Sequence, residues 1–344
     1  MRTRKVVDAE TKGKSVSLDG FDHSVALDWS IKIMAIAHMG RSVDSLRVFE
    51  RPASIKELKA YLRSLRGQIV LTFEETTTAQ WLYLELRDCV ARIIICDPFH
   101  NRLLWHGPKT DKIDAQKLCQ LLRAGLLKEV FHTTDALYEL RHLVSTYEDV
   151  VRAGVRCYNQ QDAFRRSHAH EGPHASVVVD YLNQSISLYE QTKHQYEQRF
   201  EALARRLKPL KLLLTVPGIG TIGAVKILAY VVDPRRFPRA AHYLSYCGLV
   251  KHEKLSGQRS YGWRKGRFNH QLKAVYKIAA LAVLRTQGPL RDYYDRLIAE
   301  GVAEHNARHA LARILARITY GILKSGQPFQ PGRLTQHRED NANS

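Results

Sequence analysis

Three strand-like segments, followed by alternating strand-like and helix-like segments, constrain the fold of this chain more than any other feature of its sequence. The predicted strands cover residues 23–28, 31–37, 45–49, 68–73 and 92–96. The predicted helices cover residues 54–65, 79–90 and 112–122. Strands that alternate with helices in this way predict an α/β sheet with helices packed on it.

The apolar spacing changes after residue 136, where hydrophobic residues recur at steps of three and four. This period runs through residues 140–158, stops at Gly172 and Pro173, and resumes through residues 182–207. Sustained over about four heptads, it predicts an antiparallel helical pair or an intermolecular coiled coil. We expect this arm to mediate oligomerisation, with two ordinary helices covering a core as the alternative.

Composition and periodicity together predict five segments. They are a basic flexible tail (1–22), an α/β domain (23–135), a coiled-coil or helical arm (136–210), a mainly helical domain (211–330) and a flexible polar tail (331–344).

The charge balance restricts the class of partner. The chain carries 53 Lys and Arg residues against 34 Asp and Glu residues, which gives a net charge of +19. Such an excess predicts nucleic acid as the partner, since self-repulsion is large without a polyanion.

A hydrophobic share of 44% excludes wholesale disorder. No apolar run approaches the ~18 residues of a membrane helix, and five scattered cysteines without a CxxC pair predict a reducing cytoplasm.

Four carboxylates form the first candidate site. Asp28 ends the first predicted strand, Glu74 directly follows the fourth, and Asp111 and Asp114 stand three residues apart at the start of a helix. Strand ends converge at the carboxyl edge of an α/β sheet, where ligands bind. Clustered carboxylates repel unless cations lie between them, so we expect Mg²⁺, and two ions ~4 Å apart would suit displacement at a phosphodiester.

Each carboxylate also has a structural interpretation. Asp28 could be a turn former, Glu74 a surface charge beside Glu75, and Asp111 a helix cap. Asp97, which precedes a proline at a strand end, is an ordinary stop signal.

A glycine-containing turn, VPGIG, lies between two apolar helical stretches and includes Gly218 and Gly220. Such a turn lets backbone amides approach a phosphate closely, as in helix-hairpin-helix modules. The alternative is a tight turn between helices whose glycines serve packing.

A basic segment at residues 251–273 is the third candidate. It combines one acidic residue, Glu253, with the aromatic residues Tyr261, Trp263 and Phe268. Its basic residues are Lys251, Lys254, Arg259, Arg264, Lys265, Arg267 and Lys273. Basic residues neutralise phosphates and aromatic rings stack on bases, so we interpret the segment as a nucleic-acid-binding loop. Ser256 lies within it and, from its spacing alone, is a turn residue.

The order of these motifs resembles a known family. ALD at Asp28, TFE at Glu74 and KTDKIDA at residues 109–115 resemble the DEDD transposases of the insertion-sequence one-ten family, which includes the Piv-type DNA invertases. The motifs VPGIG, YCGL, Ser256-Gly257 and GILKSG recur in the family's order. The resemblance covers nearly the whole chain beyond residue 22.

The resemblance implies an N-terminal RuvC-like (RNase H-type) domain whose acids Asp28, Glu74, Asp111 and Asp114 bind Mg²⁺, with Mn²⁺ as a substitute. It implies a C-terminal transposase domain with Ser256 as the nucleophile. Members of the family are DNA recombinases guided by a structured bridge RNA that pairs with donor and target DNA. They form dimers that assemble into tetramers, with composite sites, and act on the bacterial nucleoid.

Where this family usually has a small residue after the glutamate, the chain has FEETTT, so Glu75 could share ligand duty with Glu74. The alternatives to a bridge-RNA-guided recombinase are a Holliday-resolvase-like nuclease using the same carboxylates, a Piv-type invertase, and a non-catalytic nucleic-acid scaffold.

Overall fold

The computed structural model describes residues 20–41, 45–99, 110–132, 137–256, 259–264 and 266–332. The chain divides into two compact units, Met1–Thr134 and Asp135–Ser344.

The first unit is built on a five-stranded mixed sheet in the order β3-β2-β1-β4-β5. The strands are β1 His23–Trp29, β2 Ile33–Met39, β3 Arg47–Pro52, β4 Ile69–Glu74 and β5 Arg92–Cys96. The first three strands pair antiparallel, whereas β4 pairs parallel with both β1 and β5. Its helices are α1 Ile55–Ser64, α2 Ala79–Leu86 and α3 Asp111–Arg123.

Alternation along the strands gives the sheet two different faces. Large side chains of β1 and β4, among them Leu27 and Phe73, form a core cluster with α1 and α2. On the opposite face, alanines such as Ala26 and Ala35 cluster with the buried side of α3. Because alanine is small, the axis of α3 can approach this face closely, and α3 packs against β1 and β2.

The second unit begins with a long helical hairpin. Helices α4 Leu137–Arg165 and α5 Ala175–Arg206 are joined through a 3₁₀ turn at His168–Glu171. They run antiparallel, since Gln161 bonds Asn183 near the turn while Tyr147 donates to Glu197 at 2.9 Å further away.

Six further helices and a two-stranded hairpin complete the described part of this unit. The helices are α6 Lys208–Leu213, α7 Thr221–Val231, α8 Ala240–Tyr246, α9 His270–Val283, α10 Pro289–Ala299 and α11 Glu304–Ser325. The hairpin strands are β6 His252–Ser256 and β7 Arg259–Arg264. Buried hydroxyls join α8, α9 and α11, because Tyr276 bonds both Tyr243 and Thr319.

The predicted mixed α/β class with many helices is confirmed, and the five sheet strands lie within a few residues of their predicted positions. The prediction that the basic segment is a loop is wrong for two stretches of it. HEKLS and RSYGWR pair with each other as an antiparallel hairpin. The five-part division of the chain and the coiled coil stay predictions. In the described part of the chain, we find no helix that combines the length and apolar character needed to cross a bilayer.

Candidate active site

Two of the predicted acids lie at the carboxyl ends of neighbouring parallel strands. The β1–β4 register pairs Ala26 with Thr72, so two residues further along both strands Asp28 comes level with Glu74. Strand alternation places Asp28 on the same face as Ala26, and Glu74 on the same face as Val70. Those two residues cluster with α3, so both carboxylates extend from the α3 side of the sheet.

The other two predicted acids open helix α3. Its N-cap is Thr110, whose hydroxyl accepts a hydrogen bond from the Ile113 amide at 3.3 Å, so the cap is not Asp111. Asp111 and Asp114 occupy the first turn, and the residues one and two turns further along, Ala115 and Leu118, are buried against the sheet. Spacing of three and four residues keeps this stripe on one helix face. The helix therefore carries both acids to the sheet edge that holds Asp28.

The pKa of Asp28 reflects its closeness to Asp111 and Asp114. The pKa of Asp28 is raised from 3.8 to about 6, first by burial and then by the negative charges of Asp111 and Asp114. One oxygen of Asp114, Oδ1, is buried and has no hydrogen-bond partner in the described part of the chain. A buried carboxylate oxygen without a donor is costly, and a bound cation would remove that cost.

The donor set therefore fits a hard divalent cation in its chemistry. Among the described residues, however, no three Asp, Glu, His or Cys side chains stand close enough to hold a metal ion as they are. Cation binding would have to draw the carboxylates together.

Glu75 extends to the opposite face of the sheet from Glu74. Its Oε2 contacts Nε2 of His132, a side chain that is only 6% exposed. The other ring nitrogen of His132, Nδ1, lies 2.6 Å from Oε1 of Gln80 at the start of α2. Glu75 is thus engaged by His132 and directed away from the Asp28 side. The sequence alone does not single out His132, because it stands 57 positions after Glu75 and no local pattern links the two residues.

Asp97 serves as a turn residue, since its Oδ1 accepts a hydrogen bond from the Phe99 amide at 3.0 Å.

In the second unit, the two glycines of the VPGIG turn differ in their surroundings. Gly218 has φ +83°, and a Cβ there would lie 2.5 Å from the Ala279 carbonyl oxygen, so packing against α9 requires glycine. Gly220 is the N-cap of α7, and a Cβ there would meet no heavy atom within 4 Å. The packing interpretation therefore accounts for Gly218, whereas the backbone at Gly220 is open to a ligand.

The hairpin exposes basic and aromatic side chains. Arg259, Tyr261 and Trp263 of β7 are all exposed. The strand register shifts between the Leu255–Ser260 and Glu253–Trp263 pairs, so regular alternation is interrupted between Tyr261 and Trp263. The Arg259 guanidinium lies 5.8 Å from the centre of the Tyr261 ring. This arrangement suits a polyanion with unpaired bases.

The remaining predicted residues are placed as follows. Ser256 is the last residue of β6 and pairs in register with Arg259. Lys251 and Arg267 are exposed next to the hairpin, Lys254 and Arg264 lie within its strands, and Lys265 lies outside the described residues.

Two family models match the chain. One, described as a transposase and built for the DEDD domain of IS110-type elements, matches residues 25–164 and so includes all four acids. The other, described as the transposase IS116/IS110/IS902 family, matches residues 210–295 and so includes VPGIG and Ser256.

Curated relatives agree with these matches. An uncharacterized 43.6 kDa protein of insertion element IS110 from Streptomyces coelicolor is 32% identical over 45% of this chain and 38% of its own length. A transposase of element IS1328 from Yersinia enterocolitica is 22% identical over 76% of this chain and 85% of its own. A pilin gene-inverting protein from Moraxella lacunata is 25% identical over 45% of this chain and 49% of its own. The matched part thus spans about two fifths of the Streptomyces protein. Across residues 25–164 and 210–295, this chain is similar to the DEDD transposases of the IS110 family.

Proposed function

We propose that this protein is a Mg²⁺-dependent DNA recombinase that cuts and rejoins DNA during transposition of an insertion sequence. The observation that carries the proposal is the convergence of Asp28, Asp111 and Asp114 at one sheet edge, where burial first and then the charges of Asp111 and Asp114 raise the pKa of Asp28. A protein does not assemble repelling carboxylates at a sheet edge without cost, and bound cations would offset that cost. The matched transposase families supply the reaction class.

Each acid has a distinct position in this scheme. Asp28 and Glu74, on neighbouring strands, would hold ions from the sheet, and Asp111 and Asp114 would hold them from the first turn of α3. When bound, Mg²⁺ (we propose two ions per site) polarises the scissile phosphate and stabilises the attacking and leaving oxygens. The four side chains form the centre of what we propose to be a RuvC-like domain.

Ser256 is the proposed nucleophile. Its Oγ would form a bond to phosphorus as the bond to the leaving DNA oxygen breaks, and that oxygen would take up the proton that the serine loses. The phosphoserine link conserves the energy of the phosphodiester, so rejoining needs no ATP. A serine hydroxyl is a weak nucleophile at neutral pH and needs activation, which the carboxylate-held ions of a composite site would supply.

Nucleic-acid binding is assigned to the hairpin and its surroundings. The assignment is supported by exposed side chains of β7 (Arg259, Tyr261 and Trp263), by the exposed Lys251 and Arg267 beside the hairpin, and by the open turn at Gly220. A net charge of +19 suits polyanionic partners, and, as the family resemblance implies, we propose that these include a bridge RNA that pairs with donor and target DNA.

The helical hairpin of α4 and α5 is the proposed assembly element. Its second helix exposes Val177, Tyr181 and Leu188, apolar side chains that a second copy of the arm would cover. We propose a dimer that assembles into a tetramer.

Covalent trapping tests the nucleophile. The protein is co-expressed with the DNA that flanks its gene, co-purified RNA is sequenced, and protein–DNA adducts formed with Mg²⁺ are resolved on denaturing gels. Ser256→Ala should abolish adducts and recombination and leave DNA and RNA binding intact. Ser260→Ala, in the partner strand of the same hairpin, is the matched control and should form adducts normally. Adducts that persist in Ser256→Ala reject the nucleophile.

Neutralised acids test the metal site. Asp28→Asn and Asp114→Asn should each remove Mg²⁺-dependent strand transfer, while Asp88→Asn, at an exposed position of the same unit, should not. Unchanged activity in both site variants would reject the metal site. Free 5′-phosphate ends without any adduct would instead identify a resolvase-like nuclease.

A further inference from the structure

We propose that Trp29 and Trp81 form a stacking platform for an unpaired base of the DNA strand whose phosphate reaches the carboxylates. This inference rests on the proposed function and assigns a binding role to two residues outside the catalytic set.

The two indoles are in contact, with ring centroids 5.6 Å apart and planes at 64°. Trp29 ends β1 directly after Asp28, and Trp81 lies in the first turn of α2, the helix that follows Glu74. Consecutive Cα atoms are about 3.8 Å apart, so the platform is tied by short, ordered backbone to two of the four acids.

The indoles lie on the other side of the strand end from the Asp28 carboxylate. Strand alternation directs Asp28 to the α3 face, and Trp29 packs against the core cluster of α1 and α2. A single DNA strand that crosses this edge of the sheet could place a phosphate at the acids and an adjacent base on the indoles.

Exposure distinguishes Trp81 from a core residue. Leu82 and Leu86 of the same helix are buried in the core, whereas Trp81 is 41% exposed. Trp29 is half-buried and anchors the pair. Edge-to-face contact between the rings holds Trp81 in place while leaving part of its surface accessible, which is the arrangement that stacking on a base requires.

Charge explains why an aromatic pair suits this position. Four carboxylates repel a phosphate backbone, and a lysine or arginine placed among them would pair with the acids and compete with a bound cation. Stacking attracts a base without adding charge and accepts any base, because every base has a π face. A recombinase whose sequence choice lies elsewhere needs such sequence-tolerant binding next to the cut. A third aromatic residue, Phe99, is exposed after β5 at the same end of the parallel strands.

Binding of full-length protein to a short oligodeoxythymidylate in EDTA tests the platform apart from any chemistry. Trp81→Ala should weaken binding about 5- to 150-fold, which corresponds to about 1–3 kcal/mol. The slope of log affinity against log salt should not change, since no phosphate contact is lost. Trp81→Phe should retain most of the affinity, and an iodouracil-substituted strand should photocross-link to Trp81 or Trp29.

The matched control is Leu84→Ala, which removes an apolar side chain of similar exposure, 37%, from the same helix and should bind as the wild type does. Wild-type affinity in Trp81→Ala, or an equal loss in Leu84→Ala, overturns the proposal, as do cross-links confined to Tyr261 and Trp263. Because the assay contains no divalent ion, failure of the platform leaves the carboxylate site untouched. Unchanged activity in both Asp28→Asn and Asp114→Asn would likewise reject the metal site without affecting the platform.

Discussion

Removing one charge from the carboxylate site should make the protein more stable as well as inactive. Asp28 is the residue on which burial and the charges of Asp111 and Asp114 act together. Because its pKa is higher in the folded chain than the ordinary 3.8, the folded state binds the proton more tightly than the unfolded state does. Below pH 3.8, Asp28 is protonated in both states and does not lower the free energy of unfolding. Its destabilising effect grows as the pH rises to about 6 and is fully present above that pH.

The size of the effect follows from the pKa difference. Multiplying the difference between 3.8 and about 6 by about 1.4 kcal/mol per pH unit gives an upper limit of about 3 kcal/mol. Asp28 is only partly buried, and solvent screening lowers this to about 1–2 kcal/mol. Asp28→Asn should therefore gain about 1–2 kcal/mol at pH ~8 and close to nothing at pH ~4.

The chain has two compact units, so its unfolding need not be two-state. Hydrogen exchange in urea, read on peptides from β1 and α3, reports the first unit alone. Saturating Mg²⁺ at about 100 times its dissociation constant should stabilise the wild type by about 2.7 kcal/mol and the variant by much less. Asp88→Asn, whose carboxylate is exposed, should change stability by less than about 0.5 kcal/mol at either pH. A variant that is less stable at high pH, or a difference independent of pH, would refute the reasoning.

Three further substitutions test packing around the sites. His132→Ala removes the contacts of the buried imidazole with the Glu75 carboxylate and the Gln80 amide, so urea unfolding should show a loss of about 1–3 kcal/mol. No loss would mean that these contacts are absent in solution. Gly218→Ala places a Cβ against a backbone carbonyl at positive φ and should lower the free energy of unfolding by about 1–3 kcal/mol. Gly220→Ala should lower it by less than about 1 kcal/mol. Equal losses of stability in thermal melts would contradict the packing argument. Gly154→Ala drives a methyl group into the Tyr189 ring and should separate α4 from α5, raising protease cleavage within the arm, with Tyr189→Ala as the compensating change.

The glutamate pair shows how a local rule can separate two adjacent acids. Glu74 and Glu75 are indistinguishable by type, and either could have been taken for a ligand. Successive side chains of a strand point to opposite faces, so only one of them can share the α3 side with Asp28. Which one does so depends on the register of β4 against β1.

The sequence by itself determined the elements and the acids at their ends. Periods of 2 and 3.6 residues are properties of the local backbone, so β1, β4 and α3 and the positions of Asp28, Glu74, Asp111 and Asp114 could be read before any fold was known. The match of the motifs to a transposase family was available at the same stage.

Only the tertiary structure decided which distant groups meet. The strand order that brings Asp28 level with Glu74, the contact of His132 with Glu75, and the pairing of Trp29 with Trp81 join residues that are tens of positions apart. Such contacts depend on how whole elements pack, because side-chain volume and burial, unlike backbone periodicity, act between segments rather than within them. Local pattern therefore determined the ends of the strands, and packing determined their neighbours.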